Sequence, residues 1–134
     1  MLKRIWNTKP YALDMGLLAL RITFGALMMT HGWPKFIHYA ENSPDFPDPL
    51  GVGSPVSLLL TIFAELFCSG FLLLGLFTRV ALIPLMFTML IAIFVIHKGD
   101  PIGDKEHAIS FLIPYFALFL TGPGSYSLDR LLKR

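Results

Sequence analysis

Four apolar stretches follow one another along the chain, each bounded by charged or turn-forming residues. The first covers 12–33, with Asp14 at its start and one charge, Arg21, near its middle. The second, 56–77, is interrupted by Glu65 alone, and the third, 80–96, holds no charge. At about 1.5 Å per residue these three reach about 25–33 Å, enough to cross a hydrocarbon core of about 30 Å. The fourth, 108–121, ends at Gly122-Pro123-Gly124 and reaches only about 21 Å. It is therefore expected to take in Glu106 and His107 and to run over 106–121, or to thin the bilayer locally. The pattern predicts an all-α, four-transmembrane-helix bundle in one domain covering 1–134. The one long connection, 37–55, carries Pro44, Pro47, Pro49 and Pro55 with Glu41, Asp45 and Asp48, and reads as an ordered or semi-ordered surface loop.

Composition removes the alternatives. Hydrophobic residues make up 54% of the chain and charged residues 15%, with a mean hydropathy of +0.64. A soluble domain averages about 25% charged residues, and one this small could not cover its surface with so few. An ordinary soluble enzyme and a disordered chain are excluded. A single cysteine, Cys68, rules out an intrachain disulfide framework or a cysteine-ligated cluster, and its apolar setting points to inert packing. A net charge of +2 is too small to suggest nucleic acid. Lys3, Arg4 and Lys9 resemble the charged start of a signal peptide. Arg21, however, splits the apolar run behind them, and no small-residue cleavage site follows.

Basic residues set the orientation. Lys3, Arg4, Lys9, Arg79, Arg130, Lys133 and Arg134 fall on one face of the predicted bundle. Lys35, Lys98 and Lys105 fall on the other, diluted by six acidic residues: Glu41, Asp45, Asp48, Asp100, Asp104 and Glu106. Both termini are expected to be cytoplasmic, with the acidic loops outside.

Polar groups within the spans carry the chemistry. Arg21 and Glu65 each lie about ten residues into their helix, which places both near mid-membrane. A lone charge there costs about 3 kcal/mol or more, so each should face the bundle and find a partner. An Arg21–Glu65 ion pair is the simplest expectation, serving either as a packing lock or as a site for a polar ligand or proton. Asp14, Arg21, Gly25, Met28, Gly32 and Lys35 share one face of the first helix, which predicts an inward polar stripe. Thr61, Glu65 and Ser69 recur every fourth residue on the second.

A further group collects at the outer helix ends: His31 and Lys35 on the first span, His97 on the third, Glu106 and His107 on the fourth. These residues can be solvated, can hydrogen-bond a quinone head group, or, through His31 and His97, can ligate a haem axially. Haem is the weaker idea, because two helix-end histidines have no supporting motif. No His-x-x-His or Glu-x-x-His occurs, so no metal site is expected.

Several segments, taken in order, resemble the DoxX family. They are Leu20-Arg21, His31-Gly32-Trp33-Pro34-Lys35, Asp48-Pro49-Leu50-Gly51, Phe63-Ala64-Glu65 and Gly70. Gly75-Leu76-Phe77-Thr78-Arg79, Ala92-Ile93-Phe94 with His97, and Gly122 through Asp129 complete the series. The resemblance covers about 17–131. It implies a multi-pass protein of the bacterial inner membrane with four helices. Some such proteins belong to thiosulfate:quinone oxidoreductases or to membrane redox complexes with soluble partners. Arg21, His31, Lys35, Glu65, Arg79 and His97 are the family-like polar positions, and the long acidic loop departs from short-loop relatives.

Two functions fit. One is a quinone-linked redox subunit of a membrane oxidoreductase complex, with His31, Lys35, His97 and Glu106 near the head group and Arg21–Glu65 beneath it. The other is a non-catalytic anchor or scaffold that docks redox or stress-response enzymes. A transporter ranks third, because four helices leave little room for alternating access without a homo-oligomer.

Overall fold

The computed structural model describes residues 2–133; Met1, Arg134 and the side chain of Arg4 lie outside it, so two of the basic groups counted above are not placed. The described chain is helical, with no strand among its residues. It comprises α1 (Leu2–Ile5), α2 (Leu13–Ile37), α3 (Tyr39–Asn42), α4 (Ser54–Leu74), α5 (Thr78–Ile96), α6 (Ile102–Thr121) and α7 (Leu128–Leu132). Three helices, α2, α4 and α5, are long and apolar enough to cross a membrane. The fourth long helix, α6, has 20 residues and begins at Ile102, earlier than the apolar run suggested. Asp104, Lys105 and Glu106 occupy its first turns, which is why hydropathy alone shortens it. α2 likewise continues through Pro34 to Ile37.

The four long helices pack in the cyclic order α2, α4, α5, α6. α2 buries Arg21, Gly25, Met28 and Gly32 of the stripe that helical spacing predicts, together with Leu17, while Asp14 and Lys35 at the ends of that stripe are half-buried. Two glycines in this stripe let α4 approach. A Cβ on Gly25 would meet the Ser69 carbonyl oxygen at 3.1 Å, and one on Gly32 would meet the Glu65–Leu66 backbone at 2.8 Å. Small residues at a close helix crossing are the usual means of packing in lipid, where no hydrophobic force draws helices together. Phe63, Phe67, Phe87, Phe94 and Phe116 point outward, giving the bundle an apolar belt.

Both described terminal segments lie at one end of the bundle, stapled by polar contacts. Asp14 Oδ1 accepts from the Ser125 amide at 3.0 Å. Asp129 accepts from the Phe77 amide at 2.8 Å, the Thr78 amide at 3.0 Å and the Thr78 hydroxyl at 2.7 Å, which caps α5. Burial pushes the Asp129 carboxyl upward, but the donors from Thr78 and Phe77 outweigh it and hold it below its ordinary value. Arg79 donates to the Phe119 and Leu120 carbonyls at the last turn of α6. At the opposite end, Asp48 ties the long loop to the start of α4, its carboxylate accepting from the Val52 and Gly53 amides and the Ser57 hydroxyl.

Candidate functional site

Arg21 is 1% exposed and Glu65 7%, so both are buried as expected, but they are not partners. The Arg21 guanidinium donates to four carbonyls: Leu72 at 3.1 Å, Leu73 at 3.1 Å, Pro123 at 3.0 Å and Tyr126 at 2.7 Å. It closes the last turn of α4, whose final carbonyls have no intrahelical donor. The expected ion pair fails for a geometric reason. Side chains on a helix lean toward its N-terminus, and α2 and α4 run antiparallel. Arg21 therefore leans toward the terminal end of the bundle and Glu65 toward the loop end. Gly32, not Arg21, lies level with Glu65, and about 16 Å of helix separates the two levels.

Glu65 instead meets Lys35, with Nζ 2.5 Å from Oε2. Lys35 leans back down α2 from its last turn and also donates to the His31 carbonyl at 3.3 Å. The carboxylate is almost enclosed while the ammonium keeps partial access to solvent. Such a pair is stabilising only because each charge would otherwise be desolvated alone.

Local backbone geometry singles out the same level. α4 widens to π-helical turns over Phe63–Cys68, which hold Glu65, and α5 does so over Ala92–Ile96, just before His97. The His97 amide bonds back to the Ala92 carbonyl at 3.0 Å, five residues earlier. Such widenings are concentrated at functional sites.

Around the pair lies a polar cavity of about 350 Å³ whose lining includes Met28, His31, Lys35, Glu65, His97 and His107. His31 Nε2 and His107 Nε2 are 3.1 Å apart, and both rings pack on Phe111. At that distance only one proton fits between the two nitrogens, so one ring donates and the other accepts. His97 Nδ1 lies 3.1 Å from Asp100 Oδ2. His31 and His97, the pair weighed for haem, thus have separate partners. Glu106 is exposed and does not line this cavity, because it sits one residue, about 100° of helix, from His107, which does. A second, larger cleft of about 510 Å³ opens between α4 and α5 under Phe46, Pro47, Pro49 and Leu50. Lys35, Glu65, Thr88 and Ala92 line both spaces and divide them.

Most of this was within reach of the sequence, and His107 stood among its helix-end groups. The Lys35–Glu65 pairing was missed, although Lys35 shares the Arg21 stripe and lies four residues beyond His31.

These features define a helical, multi-pass membrane protein with a charged site at one end of its bundle. The DoxX family model matches residues 16–98, and the chain belongs to the DoxX family. It is 33% identical to the inner membrane protein YqjF of Escherichia coli K12 over 128 residues, covering 90% of this chain and 95% of the relative. It is 31% identical to the uncharacterized membrane protein Rv3486 of Mycobacterium tuberculosis H37Rv, covering 87% of this chain and 81% of that one. The E. coli inner membrane protein YphA is 27% identical, with 85% and 88% covered. No solved structure matches significantly. Family and apolar helices together place the protein in the inner membrane.

Proposed function

We propose that the chain is a quinone-linked redox subunit of a membrane oxidoreductase complex, binding the quinone head group at the Lys35–Glu65 site. The observation that carries this reading is the convergence of donors on one cavity. The Lys35 ammonium and the His31, His97 and His107 rings surround a space of a size suited to a small ring, above an apolar floor. A quinone needs hydrogen-bond donors to its carbonyl oxygens, and these residues supply them. In the same reading α6 is the fourth span and both termini are cytoplasmic, an orientation supported by the weight of basic residues at the terminal end.

The test is binding of a tail-less benzoquinone to the purified protein in lipid nanodiscs. His31→Ala should weaken binding by about tenfold while melting and insertion stay near native. Lys35→Ala should weaken it as well while also lowering the melting temperature, because it strands the Glu65 carboxylate. No affinity in the native protein would remove the redox reading and favour the scaffold. That reading is tested separately, by loss of co-purifying partners on Arg130→Ala and Lys133→Ala. Truncation after Tyr126 would not serve, because it removes the Asp129 cap of α5.

A further inference from the structure

The apolar cleft beyond the ion pair has no part in head-group binding, yet it shares a wall with that cavity. It is elongated: its lining on α5 runs from Ile96 to Ile83, about 20 Å of helix. It is also open at the side. Leu60 and Phe63 on α4, and Ile83 and Phe87 on α5, line it and are exposed on the apolar belt. Its few polar side chains are mostly engaged already. Thr61 donates to the Ser57 carbonyl, Thr88 to the Pro84 carbonyl, and Ser57 to Asp48. The charges of Lys35 and Glu65 form the only polar end the cleft offers to a ligand.

We infer that this cleft receives the isoprenoid tail of the quinone, the inference resting on the head-group reading above. The occupant must be long, apolar along its length and polar at one end, and it must enter sideways from lipid. A ligand oxygen that takes the place of Glu65 on Lys35 opens the ion pair. Since Lys35, Glu65, Thr88 and Ala92 are the shared wall, that opening joins the two spaces. The head then lies among the histidines and the tail runs down between α4 and α5 to the bilayer. The hydrogen bonds of Asp48 to the Val52 and Gly53 amides and the Ser57 hydroxyl hold the roof, Phe46 to Leu50, over this passage.

Lipid is as apolar as the cleft, so the tail gains only from closer packing, and the expected effect is modest. The experiment is equilibrium dialysis against nanodiscs of phosphatidylcholine, with affinity expressed per mole of lipid so that partitioning cancels. The probes are a tail-less dimethoxy-methyl-benzoquinone and its homologues with one and two isoprenoid units. In the native protein each unit should tighten binding by about threefold. Leu60→Trp fills the cleft from α4, and Ile83→Phe fills it independently from α5. Both variants should bind the tail-less ring as the native protein does and lose the tail-dependent gain. An equal gain in native and filled proteins would overturn the assignment. So would a phosphatidylcholine that stays bound in native mass spectra and that no tailed quinone displaces. If the tail-less ring does not bind the native protein, the head-group reading itself fails and the tail site goes with it.

Discussion

Lys35 and Glu65 stand thirty positions apart in sequence and meet at 2.5 Å, at the level where Gly32 lets α4 press against α2. That contact turns two costly charges into one site. It also releases Arg21 for a different task, closing the carbonyl end of α4 against the C-terminal segment. One cation therefore closes a helix end, and the other lines a cavity at the edge of the bundle.

The two roles separate in a double-mutant cycle. Lys35→Met and Glu65→Gln should show a coupling of about 1 kcal/mol or more in detergent melting, because each single change strands a partly desolvated charge. Arg21→Gln combined with Glu65→Gln should be additive to within about 0.5 kcal/mol, because the two side chains share no partner.

Arg21→Lys should be nearly as damaging as Arg21→Gln, with a loss of about 2–4 kcal/mol on thermal or denaturant melting. A lysine keeps the charge, but one ammonium cannot span the Leu72, Leu73, Pro123 and Tyr126 carbonyls that the guanidinium fork reaches. Full stability in the lysine variant would show that charge alone matters there.

Glycine substitutions should divide by position. Gly32→Ala forces a Cβ to within 2.8 Å of the α4 backbone. Gly75→Ala puts one 2.5 Å from Ser127 at a φ of +67°. Each should cost about 1–3 kcal/mol. Gly16→Ala and Gly70→Ala meet nothing within 4 Å, lie within helices, and should be neutral or stabilising by up to about 1 kcal/mol. Melting temperatures of the four variants decide the matter.

Acid should loosen the terminal staple. The Asp129 carboxyl is held below its ordinary value of 3.8, so its ionised form contributes stability that is fully present above that pH. The contribution is lost as pH falls through the lower, folded value. Asp48 at the other end behaves alike, held down by the Ser57 hydroxyl and the Gly53 and Val52 amides. Melting temperature should fall below about pH 4, and Asp129→Asn should flatten that fall while lowering stability at neutral pH. An unchanged slope in the variant would remove Asp129 from the account.

Orientation is tested by fusions. A reporter active only in the cytoplasm, joined after the last residue, should be active, and one active only outside should be active when inserted within 41–49. Silence from either would refute four spans with both ends cytoplasmic.

The sequence by itself determined the class of this protein and much of its interior. Apolar runs, sparse charge and the α2 stripe through Arg21, Gly25, Met28 and Gly32 are local periodicities, and a helix reports its buried face through them. The ordered 37–55 loop was legible too, through its prolines and Asp48. Partnership was not. Arg21 and Glu65 looked like a pair because depth was reckoned along each helix alone. The pairing depends on the antiparallel lean of side chains and on glycine contacts between α2 and α4, which only the packed bundle sets. The same holds for the family-like segments Gly75–Arg79 and Gly122–Asp129. Strung out, they read as motifs; folded, the Asp129 carboxylate and Arg79 guanidinium cap helices from across the chain. Tertiary structure decided which charge met which, because opposite charges separated along a chain are matched by three-dimensional level and direction, and sequence spacing encodes neither between different helices.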